Sequence, residues 1–179
     1  MTDTKLTNAN TMSTDATSTH VPNTNMTVTT AAAPTDPQAL ASATAHAMWQ
    51  RDRTAQALAM RIEHIAPGHA TLSMPVRSDM VNGHHICHGG MIFTLADTAF
   101  AYACNSYNQT TVASACHVDF IAPAKEHEVL HAEAIERSAS GRTGVYDVTV
   151  RTAEGKLIAL FRGKSHRIGG EVIGGPDHG

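Results

Sequence analysis

The sequence concentrates residues that could do chemistry in one short segment, His84-His85-Ile86-Cys87-His88-Gly89-Gly90, followed by Asp97. Helical periodicity begins directly after the two glycines, and the first backbone N–H groups of any helix lack a partner within the helix. With the helix dipole behind them, such donors can hold a carbonyl oxygen that gains negative charge during a reaction. Gly89 and Gly90 would also let a substrate approach the backbone closely. A tight loop that merely leads into a helix would use the same glycines, so both interpretations stay open.

Asp97 is the second candidate, because nothing nearby in the sequence neutralises it. Its neighbours on the adjacent helical turns are apolar, and no Lys or Arg occurs between Arg77 and Lys125. Burying an unpaired carboxylate costs on the order of several kcal/mol unless it is hydrogen-bonded. We therefore expect Asp97 to lie at an opening or to be retained for catalysis. The alternative is an aspartate on an exposed strip of the helix.

The spacing of these groups predicts how they could meet. Asp97 lies nine residues beyond His88, which is roughly 13 Å along a helix axis. Within one chain, the start of the helix and Asp97 therefore cannot both contact one carbonyl group. If two copies pack their long helices antiparallel, Asp97 of one subunit can face the Gly89 amide of the other. The spacing therefore predicts a symmetric dimer with shared sites.

The same segment also contains four potential metal ligands, His84, His85, Cys87 and His88. Structural zinc usually requires two well-separated ligand pairs. The remaining candidates lie on apolar or strand-like stretches: Cys104, Cys116 and His117. A Cys87 nucleophile with a histidine partner is conceivable, although a cysteine beside a tight turn is more often simply packed. We expect no metal and no cofactor.

The surrounding pattern predicts the elements that position these residues. Apolar residues at three- and four-residue spacing predict helices over 37–53 and 88–106. Alternation of apolar and polar residues predicts strands, at 58–63, 70–76, 111–121, 129–135, 145–150 and 157–166. Two strands, one long apolar helix and four further strands indicate an α+β fold, an antiparallel sheet curled around the central helix.

Composition limits the class of protein. A chain of 179 residues has room for one ordinary domain, and no apolar run approaches a membrane span. A net charge of -3 gives no general reason to bind nucleic acid. Three cysteines and a start without a secretory pattern favour the cytoplasm. The Thr/Asn/Ala-rich leader 1–36 and the Gly-rich tail 169–179 are expected to be flexible around a domain spanning 37–168.

Several long runs resemble the phenylacetate-degradation thioesterase family, PaaI type. They are Asn82-Gly83-His84 through Cys87-His88-Gly89-Gly90, Phe93 through Ser106, Ala113-Ser114-Ala115-Cys116, Thr143 through Asp147, and Ala159 through Gly170. The similarity covers roughly Ala45 to Gly170. Runs this long are far more specific than His-Gly-Gly alone.

The resemblance implies a hotdog fold, a dimer of dimers, and hydrolysis of phenylacetyl-CoA or its hydroxylated relatives. It implies that Asp97 is the nucleophile or general base and that the Gly89 N–H polarises the thioester carbonyl. It also implies that Asn82 and His88 arrange substrate and water. Further substrate-binding residues are expected to be Gly90, Phe93 and Ser114, with Arg142, Arg162, Lys164 and Arg167 as candidate ligands of the CoA phosphates. A solvated strand end would carry the same charges.

Two positions depart from the family pattern. Arg51 stands where the family has an asparagine, and Ala122 replaces a basic residue before Pro123. The resemblance therefore leaves the detail of the pocket and the preferred acyl group open. The alternative functions are a hotdog enoyl-CoA hydratase or dehydratase, which would use a His-led acid and base pair, and a non-catalytic acyl-CoA-binding protein.

Overall fold

The computed structural model describes residues 33–174. Two helices, α1 (Pro37–Arg51) and α2 (Arg53–Ala57), precede the strands β1 (Arg61–Ala66) and β2 (His69–Pro75). A long helix, α3 (Gly89–Asn105), follows, and then come β3 (Thr111–Phe120), β4 (Val129–Ser140), β5 (Thr143–Thr152) and β6 (Leu157–Arg167). Apart from the short helix α2, which was not predicted, this order confirms the predicted sequence of elements. Among the described residues, no helix is long and apolar enough to cross a membrane.

The strands form one antiparallel sheet in the order β1-β2-β4-β5-β6-β3, and α3 packs across its inner face. The predicted apolar stripe of α3 is fully buried there: Ile92, Leu95, Ala96, Ala99, Phe100 and Ala103. Alternate residues of the strands complete the core, such as Leu130 and Ala132 in β4 and Val148 and Val150 in β5. The predicted α+β architecture, a sheet around a central helix, is therefore confirmed.

One glycine lets the helix sit close to the sheet. A Cβ built on Gly163 of β6 would lie 2.9 Å from the Phe100 ring. Phe100 also packs against Phe161 and Tyr146, with ring centroids 5.9 and 5.4 Å apart. Gly163 and Phe161 therefore face α3, and because strand residues alternate, Arg162 and Lys164 face the opposite side of the sheet.

The first predicted strand was wrong at its start. Residue Leu58 does not belong to a strand but ends α2, and β1 begins only at Arg61. The Asp52 side chain accepts a hydrogen bond from the Ala55 N–H at 2.9 Å, which caps a second short helix. The left-handed Ala59, with φ of 53°, then turns the chain into β1. Sequence alternation alone could not distinguish this short helix from an extended strand.

The predicted ends of the domain fall partly outside the described residues. Of the leader, residues 1–32 lie outside them, as do residues 175–179 of the tail. Within the described part, regular structure runs from Pro37 to Arg167. Residues 168–174 follow β6 and are hydrogen-bonded to the loop between α3 and β3, which their glycine-rich composition did not indicate. The domain boundaries and the flexibility of both ends stay predictions.

Candidate active site

The start of α3 presents one open backbone donor. The His88 ring caps the helix, because its Nδ1 accepts a hydrogen bond from the Gly90 N–H at 3.0 Å. The Gly90 amide is therefore occupied, whereas the Gly89 N–H has no acceptor among residues 33–174. Since Nδ1 accepts, the proton of a neutral His88 ring lies on Nε2. Of the two glycines, only Gly89 is left to bind a carbonyl oxygen.

The loop before α3 is built around Asn82. Its Oδ1 accepts hydrogen bonds from the backbone N–H of His84 at 2.9 Å and of Ile86 at 3.4 Å. Asn82 and Gly89 line one cavity of about 390 Å³, into which Phe120 also projects. Asn82 thus fixes the loop that leads to the open amide, and its predicted role in arranging substrate and water stays a prediction.

Cys87 does not have the properties of a nucleophile. Its side chain is buried, and its backbone N–H donates to the Ala124 carbonyl at 2.8 Å. Desolvation raises the pKa of the Cys87 thiol to about 11, so that the reactive thiolate is scarce at neutral pH. The geometry favours a packing role, the more ordinary interpretation of this residue. No group of ligands suited to a metal ion occurs within residues 33–174.

Asp97 lies half-buried on α3 without a cationic partner among the described residues. Its Oδ1 accepts a weak hydrogen bond from the Cys116 thiol of β3, with S and O 3.9 Å apart. Desolvation raises the pKa of Asp97, and the hydrogen bond from Cys116 partly opposes that effect. A carboxylate with a raised pKa is a stronger base than an exposed aspartate, as proton abstraction from water requires.

A β-bulge at Ser114 directs Cys116 toward Asp97. Ala113 pairs with Ser165 and Ala115 pairs with Lys164, so β3 contains one residue more than β6 at this point. The Ser114 hydroxyl donates to the Lys164 carbonyl at 3.0 Å and holds the bulge. The extra residue shifts the alternation, so that Cys116 lies opposite the inward-facing Gly163. Ser114, predicted to bind substrate, thus shapes the strand beside the site.

Asp97 and Gly89 open into different cavities of the same chain. Asp97 lines a cavity of about 460 Å³ whose walls include Phe100, Ala101 and Val112. Gly89 lines the separate cavity that contains Asn82. The two groups are eight residues apart on one rigid helix, about 12 Å along its axis. Within one chain they do not meet.

Comparisons with known proteins show which family the chain belongs to. The sequence model of the thioesterase superfamily matches residues 84–159. The acyl-coenzyme A thioesterase PaaI of Escherichia coli K12 is 50% identical over 130 residues, which are 73% of this chain and 93% of that protein. The chain belongs to the thioesterase superfamily. The protein is thus a hydrolase of thioester bonds.

Solved structures confirm the hotdog fold for this thioesterase. The structure of Escherichia coli PaaI, from the phenylacetic acid degradation operon, matches with a TM-score of 0.73 and 49% identity, covering 74% of this chain and 96% of that chain. The TT0310 protein of Thermus thermophilus matches with a TM-score of 0.64 and 41% identity, covering 66% of this chain and 99% of that chain.

The predicted CoA-binding cations of the thioesterase lie in two places. Arg162 is held by Asp147 through two hydrogen bonds of 2.7 and 2.9 Å on the outer face of the sheet. Lys164 is on the same face, away from Asp97, and is exposed. Arg142 and Arg167 lie side by side at the end of β6, where the Arg142 Nε donates to the Arg167 carbonyl at 3.0 Å. The four side chains therefore do not form one cluster.

Phe93 packs inward rather than at an opening of either cavity. Its ring lies against Phe161, with centroids 5.5 Å apart. Its predicted contact with substrate stays a prediction.

Sequence reasoning missed two other parts of the site. One is the Cys116 thiol beside Asp97, and the other is the segment after β6, where Glu171 and Val172 line the Asp97 cavity. Neither the β-bulge in β3 nor the packing of residues 168–174 against the domain produces a periodic pattern in the sequence.

Proposed function

We propose that this thioesterase hydrolyses phenylacetyl-CoA or hydroxyphenylacetyl-CoA at a site shared between two protomers. The observation that carries the proposal is the pair of half-sites on α3. A desolvated carboxylate, Asp97, lines an acyl-sized cavity, and an open amide, Gly89, lines another. Ligand cavities of about 300–1,000 Å³ are typical of small-molecule sites. The similarity to PaaI supports the choice of substrate.

In the proposed mechanism, the thioester carbonyl oxygen accepts a hydrogen bond from the Gly89 N–H, which stabilises the negative charge of the tetrahedral intermediate. The partner subunit's Asp97 takes a proton from water as the water oxygen adds to the carbonyl carbon. The C–S bond then breaks, and the CoA sulfur leaves with a proton as the free thiol. Direct attack by the carboxylate, giving an anhydride that water hydrolyses, uses the same two groups.

The edge strand β3 supports the proposed dimer. Its outermost position in the sheet leaves a row of backbone groups unpaired by any described strand, and such edges are normally covered or paired. Val112, Phe120 and Ile121 are exposed along it, with 43%, 53% and 52% of their surface accessible. Pairing of β3 with its copy would cover these side chains and bring the two α3 helices together. Association of two dimers would complete the proposed tetramer.

The CoA moiety carries a diphosphate and a 3′-phosphate, which require cations at the site entrance. Arg142 and Arg167 are the best placed, because β6 pairs Arg167 with Thr111, and Thr111 also lines the Asp97 cavity. Lys164 and Arg162 would serve only from the outer face of the sheet. We place the enzyme in the cytoplasm, where its three cysteines would stay as thiols, and in phenylacetate catabolism.

The hydratase alternative fits this geometry less well. It needs a histidine-led acid and base pair, but His88 accepts the Gly90 N–H through Nδ1, so that its free Nε2 carries the proton and cannot act as a base. The decisive assay incubates the pure protein with phenylacetyl-CoA and follows release of free thiol, against a panel of acyl-CoA and enoyl-CoA compounds. Thiol release with phenylacetyl-CoA, lost in Asp97→Asn, supports the proposal. Hydration of enoyl-CoA without thiol release, or binding without any turnover, would refute it.

A further inference from the structure

The Asp97 cavity has a defined direction along the molecule. At one end Asp97 contacts Cys116. Toward the other end, the Asn105 side chain bonds both the N–H and the carbonyl of Thr111, each at 2.9 Å. Asp97 and Asn105 are eight residues apart, about 12 Å along α3. Both line the cavity, so it runs from the catalytic carboxylate toward the C-terminal end of the helix.

Residues 168–174, here called the C-terminal strap, lie at this far end. The Thr110 N–H donates to the Gly170 carbonyl at 3.1 Å, and the Ile168 N–H donates to the Thr110 carbonyl at 3.0 Å. The Ile173 N–H donates to Oδ1 of the buried Asn108 at 2.8 Å. These hydrogen bonds fix the strap on the loop between α3 and β3.

Helix α1 holds the strap from the other side. Arg51 Nη2 donates to the Val172 carbonyl at 3.2 Å. Arg51 and Met48 of α1 line the cavity together with Glu171 and Val172 of the strap. The strap and α1 thus close the cavity at the end remote from Asp97.

We propose that the C-terminal strap, held by Arg51, is the end wall of the acyl pocket and sets the longest acyl group that the enzyme accepts. The inference rests on the proposed function. Apolar wall residues such as Met48, Phe100 and Val112 suit a hydrocarbon group. The strap excludes groups that extend past Val172 by steric conflict, since specificity arises as much from blocking the wrong ligand as from binding the right one. Arylacetyl and short acyl groups fit, and long-chain acyl groups are rejected.

The test uses two variants, of which one removes a side chain that holds the strap and the other removes the strap itself. One is Arg51→Ala, which keeps a strong helix former in α1, and the other is a chain that ends at Ile168. A chain that ends at Gly174 is the matched control, because it removes residues 175–179 and keeps the strap. For each protein, kcat/KM is measured with phenylacetyl-CoA and dodecanoyl-CoA. Circular dichroism and thermal unfolding verify the fold.

We expect the ratio of dodecanoyl-CoA to phenylacetyl-CoA kcat/KM to rise by about 10-fold or more in both variants, since even one methylene changes discrimination by about 10-fold in an apolar pocket. The Gly174 control should keep the wild-type ratio. The Kd values of the matching non-hydrolysable thioethers, dodecyl-CoA and phenylethyl-CoA, should change in the same direction. An unchanged ratio of Kd values in the folded chain that ends at Ile168 overturns the inference. Absence of wild-type hydrolysis would instead count against the proposed function, while the Kd ratios would still decide the role of the strap.

Discussion

A site divided between two protomers predicts that two inactive variants restore each other. Asp97→Asn removes the base and should lower kcat by about 100-fold or more. Gly89→Pro removes the open N–H, because proline has no backbone N–H. The helix should tolerate the substitution, since Gly89 is the first residue of α3. Loss of one oxyanion donor costs about 100- to 1,000-fold in kcat. Each variant alone should therefore retain about 1% of wild-type activity or less.

The two variants are then co-expressed with different tags and assort into dimers. A mixed dimer has one site with both defects and one site with neither, because each site takes Asp97 from one protomer and Gly89 from the other. With random assortment, half of the dimers are mixed, so activity per protomer should return to about a quarter of the wild-type value. Thiol release from phenylacetyl-CoA measures the recovery, and sequential purification on both tags isolates the mixed species.

Gly89→Ala is the matched control for the proline. A Cβ at this position would lie 3.0 Å from the Phe120 ring, so both substitutions crowd the ring, but only proline removes the N–H. Gly89→Ala should therefore retain far more activity than Gly89→Pro. If purified mixed dimers stay near the roughly 1% activity of the single variants, the carboxylate and the amide act within one chain, and the shared site is refuted.

Three further outcomes follow from the structure. Cys116→Ala removes the donor that lowers the pKa of Asp97, so the acid limb of the kcat/KM profile should move to higher pH, whereas Cys116→Ser should not show this upward shift. Gly163→Ala places a Cβ 2.9 Å from the Phe100 ring and should lower the free energy of unfolding in urea by about 1–3 kcal/mol. Asp52→Ala removes the cap of α2 and should cost about 1 kcal/mol in the same measurement.

Much of the fold was accessible from sequence because its signals are periodic. The apolar stripe of α3 and the alternate apolar residues of β5 are both buried where the helix packs on the inner face of the sheet. Prediction from periodicity was wrong where a single side-chain hydrogen bond determined the local structure. Asp52 starts a short helix by accepting one hydrogen bond, and the chain from Arg53 to Ala57 is too short to show helical periodicity.

The sequence singled out the two candidate groups, Gly89 and Asp97, but did not indicate their surroundings. Gly89 and Asp97 stand out because an unpaired amide and an unpaired carboxylate are unusual in themselves. The contact of Cys116 with Asp97 depends on a bulge that shifts the register of β3 by one residue. No local sequence pattern predicts this bulge. The pairing of Arg162 with Asp147 was also not indicated by the sequence, and the role of Arg162 in phosphate binding stays a prediction.

Assembly and base strength are coupled in the proposed dimer. Asp97 is half-buried in one chain, and desolvation already raises its pKa. A partner helix that covers the same face of α3 would remove more water from the carboxylate and raise its pKa further. The partner's Gly89 N–H would not oppose this effect, because it is directed at the substrate oxygen. Dimerisation would therefore supply the oxyanion donor and strengthen the base at once, so an isolated protomer should be inactive for two independent reasons.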